Sequence, residues 1–261
     1  MDRVATRVRE LAATYEPPGF EHVPSADAAL FMCAVDHGTG YREPHRVGGR
    51  GPFEGSALLW ELACAAERER PGTLTAAALA EVDAGRVAEL FRAGEETARD
   101  PEGRARLWRD LAAGLVRDHG GEAGALIAAA GGRLGGEDGL VALLAAYEAY
   151  ADPLAKKAFL FAKIAARRGW LAVEDPESWQ VCADNVLMRL ALRSGLVEPG
   201  GVEEVRAATR EALARVAAES GVAPPVLDDL LWERGREDPD LLGTEAGELR
   251  EPGRREGVHW Y

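Results

Sequence analysis

Apolar residues recur every three or four positions along most of this chain. The runs Ser56–Arg68, Ala84–Arg92, Glu102–Val116, Gly139–Tyr150, Leu154–Arg168, Asn185–Arg193 and Val202–Ser220, rich in alanine and leucine, each put them on one helical face. The pairs Asp100-Pro101, Asp152-Pro153 and Asp175-Pro176 have the form of a cap followed by a first-turn proline. Gly169 after Arg167-Arg168 reads as a helix stop, with cations on the negative end of the dipole. Alternating runs are scarce, and the best strand candidate is the short stretch Leu171–Val173. The pattern therefore predicts a mostly α fold.

Three stretches break the periodicity. His37–Phe53, dense in glycine, proline and polar aromatics, reads as a functional or mobile loop. The glycine-rich Ala130–Asp138 follows no strand and matches no phosphate-loop spacing, so it reads as a flexible connector. The segment 233–261 is charged, is broken by proline and glycine, and ends in His259-Trp260-Tyr261; it is expected to pack back on the body. With no internal repeat and no clean boundary, the economical expectation is one helical domain over 1–261.

Composition narrows the function. A net charge of −13 opposes the counterion-driven attraction that binds proteins to nucleic acid, so duplex DNA is an unfavourable partner. Cys33, Cys64 and Cys182 lie far apart with no CxxC pairing, which predicts free core thiols in a reducing compartment. No His/Asp/Cys spacing suggests a metal. There is no apolar run of membrane-spanning length, and Met1–Glu10 alternates in charge where a signal peptide needs an apolar segment, so a cytoplasmic protein is expected.

The cations are unevenly chosen. Of 31 lysines and arginines only three are lysines, Lys156, Lys157 and Lys163, and all fall within one helical run. A lysine amine, unlike a guanidinium, shifts its pKa on burial and can act as a nucleophile or proton carrier. Lys156 shares a face with Phe159, Leu160 and Lys163, which marks it as the candidate for chemistry. Lys157 and Lys163 are expected to extend their ammonium groups to solvent.

Two blocks, DPLAKKAFLFAKIAARRGWL and CADNVLMRLALRSGLV, look like the paired segments that carry the lysine and aspartate of helix-hairpin-helix N-glycosylases. PPVLDDLLWERGR resembles the closing helix of their archaeal 8-oxoguanine branch. A second resemblance covers more of the chain. FMCAVDHGTGY, RGPFEGSALLWELACAA, TLTAAALAEVDAGRVAELFRA, ARLWRDLAAGLVRDHGGEAGALI, EAYADPLAKKAFLFAKI, VLDDLLW and the terminal aromatic pair are similar, in the same order, to the queuosine 5′-phosphate N-glycosylases of queuosine salvage.

This resemblance implies a helix-hairpin-helix glycosylase fold. The implied protein is a monomeric hydrolase that cleaves the N-glycosidic bond of a 7-deazaguanine nucleotide without a cofactor. Asp184 matches the motif aspartate that stabilises the cationic sugar, and its place before Asn185–Arg193 also suits a plain cap. Lys156 matches the lysine that serves glycosylase-lyases as nucleophile; for a free nucleotide it would instead hold a phosphate or pair with Asp184. Asp36, His37, Tyr41 and His45 fall where the family binds the base, Asp228 where it reads the base edge, and Trp232 and Tyr261 complete the set. The chain departs at DHGTGY and Ser56-Ala57-Leu58, where relatives carry larger rings, which leaves the base open. A DNA glycosylase-lyase using Lys156 and Asp184, or a noncatalytic helical binding module, are the alternatives.

Overall fold

A computed structural model describes residues 1–253, 255 and 257–260. Along the chain run α1 (Asp2–Ala12), α2 (Ala26–Val35), β1 (His45–Val47), β2 (Arg50–Phe53), α3 (Gly55–Glu69), α4 (Ala76–Leu79), α5 (Ala84–Leu90) and α6 (Pro101–His119). They are followed by α7 (Ala123–Ala129), α8 (Leu140–Leu144), α9 (Lys156–Arg167), α10 (Asn185–Arg193), α11 (Val202–Ser220) and α12 (Pro224–Glu237). The fold is mostly α, as the periodicity predicts. The chain divides into two compact units, one of Phe20–Asp175 and one of Met1–Gly19 with Pro176–His259.

In the first unit α2 is buried from Ala28 to Val35 and packs against α3, α6, α7 and α9. Ser25 caps its start by accepting from the Ala28 amide at 3.0 Å. Periodicity does not reveal this helix, because ADAALFMCAV is apolar on every side. From Leu30 onward several carbonyls accept from side chains of other elements, away from water. Tyr150 Oη donates to Leu30 O and Trp108 Nε1 to Phe31 O, each at 2.6 Å, and Lys157 Nζ donates to Ala34 O at 2.6 Å. Arg104 donates to Val35 O and to His37 O.

Several local expectations give way here. The run Gly139–Tyr150 is not one helix: α8 ends at Leu144, Tyr147 is extended, and a 3-10 turn covers Glu148–Tyr150. The Tyr147 ring fills the space left by Gly114 on α6, where a Cβ would lie 2.4 Å from it, and the Glu148 amide is taken by Asp110 at 2.8 Å. Asp100 caps α6 as predicted, accepting from the Gly103 amide at 2.9 Å. Asp152 is not the residue next to α9, which starts after Ala155 in a left-handed conformation, yet its carboxylate accepts from the amides of Leu154 and Lys156. Asp175 heads only a 3-10 turn, Pro176–Ser178. Its carboxylate accepts from Leu134 N at 2.7 Å and Gly135 N at 2.9 Å, so the expected flexible connector is tied down. Leu171–Val173 forms no strand. The strands lie in the expected loop instead, as an antiparallel hairpin pairing His45 with Phe53 and Val47 with Arg50.

The second unit is a bundle of α1, α10, α11 and α12. Its core holds Val4 and Val8 of α1, Leu187 and Leu190 of α10, Leu213 and Val216 of α11, and Leu227 and Leu231 of α12. Beyond α12 the chain lies along α10: Arg193 Nε donates to Asp240 at 2.6 Å, the Ala246 amide donates to Arg193 O, and Arg189 grips Glu251 through two bonds of 2.8 Å. All three cysteines are buried and free.

Gly235 sets how closely α12 approaches α10. A Cβ there would lie 2.6 Å from Leu190 Cδ1 and 3.1 Å from Val186 Cγ1. Gly235→Ala is therefore expected to destabilise the protein by about 1 kcal/mol in urea unfolding, because overpacking costs about 1–3 kcal/mol and the better helix former returns only about 1 kcal/mol. A gain in stability would show that Leu190 yields without cost.

Candidate functional site

In the first unit the residues that share one place are Asp36, His37 and Lys156, gathered where α2 ends. Asp36 is 8% exposed, and its Oδ1 accepts from Ser56 Oγ at 2.8 Å. Lys156 Nζ lies 3.4 Å from Asp36 O. Lys157 Nζ lies 3.3 Å from His37 Nδ1 in addition to its bond to Ala34 O. Arg104, fully buried, closes the group from α6, and burial holds its guanidinium down to about 10. The negative end of α2 and the Asp36 carboxylate lie beside the charged ends of Lys156 and Arg104.

The lysines do not divide as expected. Lys157 is 0% exposed and Lys163 is 4% exposed, so neither extends to solvent. Burial pushes the Lys157 amine well below its ordinary range, the nearby Lys156 charge adds to this, and Asp36 opposes it. Lys157 and Ser56 are thus members that sequence reasoning missed. All three lysines of the helix are buried, and Lys157 is the most enclosed of them.

Tyr41 and His45 have their polar atoms elsewhere. Tyr41 Oη donates to Phe91 O at 2.7 Å, and burial raises its phenol. His45 Nε2 lies 3.1 Å from Glu96 Oε2, whose carboxyl this contact holds below its usual range; the Arg42 amide donates to the same carboxylate. Both residues therefore fasten the hairpin segment to the stretch after α5.

In the second unit Asp184 caps α10. Its Oδ1 accepts from Val186 N at 2.9 Å and Leu187 N at 3.1 Å, and the residue is 7% exposed. The positive end of α10 lies beside its carboxylate. Asp228 on α12, expected to read a base edge, accepts from Cys182 N at 2.7 Å through Oδ1, and Arg206 Nε donates to Ala183 O at 3.4 Å. The strap Val181–Asp184 is thus tied from two helices just before the carboxylate it carries. Trp232 is half-buried against the bundle core, with the Arg236 guanidinium 4.8 Å from its ring centroid. Tyr261 lies outside the described residues. Among the described residues no three His, Cys, Asp or Glu side chains converge as metal ligands would.

No protein-family model matches this chain, and no curated protein matches it.

Two outcomes follow from the geometry. Between the lowered pKa of Lys157 and its ordinary 10.5, the unfolded chain holds a proton that the folded one has released, so folding stability from this group rises with pH. The difference in unfolding free energy between wild type and Lys157→Met should climb as pH rises toward 10.5 and then level off, as read by chemical denaturation across pH; a flat difference would mean that the buried amine keeps its charge. For Asp228, alanine strands the Cys182 amide and should cost about 1–3 kcal/mol with faster exchange at that amide, whereas asparagine retains an acceptor and should cost less. If both variants fold with wild-type stability, the tie is not what holds the strap.

Proposed function

We propose that this protein is a hydrolase that cleaves the N-glycosidic bond of a 7-deazaguanine nucleotide of the queuosine 5′-phosphate type and releases the base for salvage. The observation that carries the reading is the near-buried Asp184 carboxylate, on a helix N-terminus and on a strap tied by Asp228, at the position that the resemblance assigns to the glycosylase aspartate. As the C1′–N bond breaks, its electron pair leaves with the base and positive charge develops on the sugar. A fixed carboxylate stabilises that charge, and a water that adds to C1′ and loses a proton completes hydrolysis. The departing base takes up a proton.

Lys156 serves in this reading as a fixed positive charge for a phosphate. Asp36 and His37 would take polar groups of the substrate. A mononucleotide needs only one or two cations, which agrees with the −13 balance and with a cytoplasmic monomer acting on a small molecule. The DNA glycosylase-lyase reading draws on the same Lys156 and Asp184, but would use the amine to form a Schiff base.

Asp184→Asn keeps a cap and loses the charge, so base release from modified nucleoside monophosphates should fall at least about 100-fold with the fold retained. Equal release by wild type and variant removes Asp184 from the mechanism. Borohydride should trap no adduct with damaged duplex DNA; a trapped adduct lost in Lys156→Ala would favour the lyase, and release of no base from any substrate would leave a binding module.

A further inference from the structure

The unit Phe20–Asp175 contains a cavity of about 310 Å³ that the proposed hydrolase chemistry does not use. It lies between the turn after α3, α4, α5 and the ring of Trp108 on α6. Leu79, Val82, Leu90 and Trp108 make its interior hydrocarbon, while Arg70 and Arg86 belong to its lining as cations.

The polar groups within reach are largely committed. Trp108 Nε1 is used on Phe31 O at 2.6 Å, so the indole offers carbon surface. Thr73 Oγ1 is used on Arg70 O at 2.6 Å, and Arg109 Nη1 holds Val82 O at 2.6 Å. The rim is braced as well, since the two oxygens of Glu67 accept from Gly72 N and Leu74 N, each at 2.7 Å. Arg86 is partly neutralised by Glu89 at 2.7 Å. Arg70, exposed at the rim, makes no ion pair with an acidic side chain among the described residues, so it is the cation left open to a ligand here.

A ligand with several hydrogen-bonding groups would bury them unmatched here, which costs about 1–3 kcal/mol for each. An apolar body with one negative end meets both the interior and the arginine. We infer that this cavity binds a small amphipathic monocarboxylate, its chain on Leu79, Leu90 and Trp108 and its carboxylate on Arg70. An apolar cavity of about 150 Å³ holds benzene, so about 310 Å³ takes on the order of ten heavy atoms, the size of an eight-carbon acid. The braced rim makes the site largely preformed, so little ordering opposes binding.

The test is titration of the full chain with sodium octanoate, followed by calorimetry and by side-chain NMR of the cavity leucines, with 1-octanol as the uncharged probe of equal length. Octanoate should bind in the submillimolar range and perturb Leu79 and Leu90, and octanol should bind about ten-fold more weakly. Arg70→Gln should weaken octanoate about ten-fold and leave octanol unchanged, while the exposed Arg46→Gln changes neither. Leu79→Trp, which fills the space, should remove both; if that variant fails to fold, the Arg70→Gln comparison decides. No octanoate binding at 10 mM, or equal loss in Arg70→Gln and Arg46→Gln, overturns the inference. Base release by the same preparations reports separately on the hydrolase reading.

Discussion

The first unit is organised by the need to bury one helix completely. Because α2 is apolar on all sides, water reaches neither its flanks nor its buried carbonyls, and several of these take a donor carried in by another element. Tyr150, Trp108, Arg104 and Lys157 come from three different stretches of chain to supply those donors. The same requirement explains why long cationic side chains are buried at all: they can cross a layer of packed apolar residues and still end in a hydrogen-bonding group. Charge on Arg104 is tolerated because the negative end of α2 and the Asp36 carboxylate lie beside it.

In the other unit carboxylates do comparable work on amides. Asp184 satisfies the first turn of α10, and Asp228 satisfies the strap that delivers Asp184. A capping aspartate is therefore also a carboxylate held still in a site of low exposure, the condition that electrostatic stabilisation of a developing cation requires. In the proposed hydrolase, structural and chemical roles would coincide on this one side chain. Asn and Ala substitutions separate them because asparagine preserves the acceptor and not the charge.

The cavity beside Trp108 differs in kind from the cluster at the end of α2. One is hydrocarbon with an arginine at its edge, and the other is dense in paired polar groups. The commitment of the Trp108 and Thr73 donors to backbone carbonyls is what makes the distinction.

Regular helices were legible in the sequence wherever one face was apolar and the other polar: α10 and α11 have the bounds that periodicity predicts, and Asp100-Pro101 marks α6 correctly. The α2 helix was not legible that way, because burial on all sides erases the period. The break at Tyr147 was hidden too, since it depends on the notch at Gly114 of another helix. Free core cysteines, the helical class and the helix bearing the lysines could be read from residue type and spacing alone. That all three lysines are buried, that Asp228 ties the strap, and that Tyr41 and His45 fasten a hairpin were decided only by tertiary structure. A side chain's period sets its face of a helix, but its partner is set by whatever distant carbonyl or carboxylate the fold leaves unsatisfied.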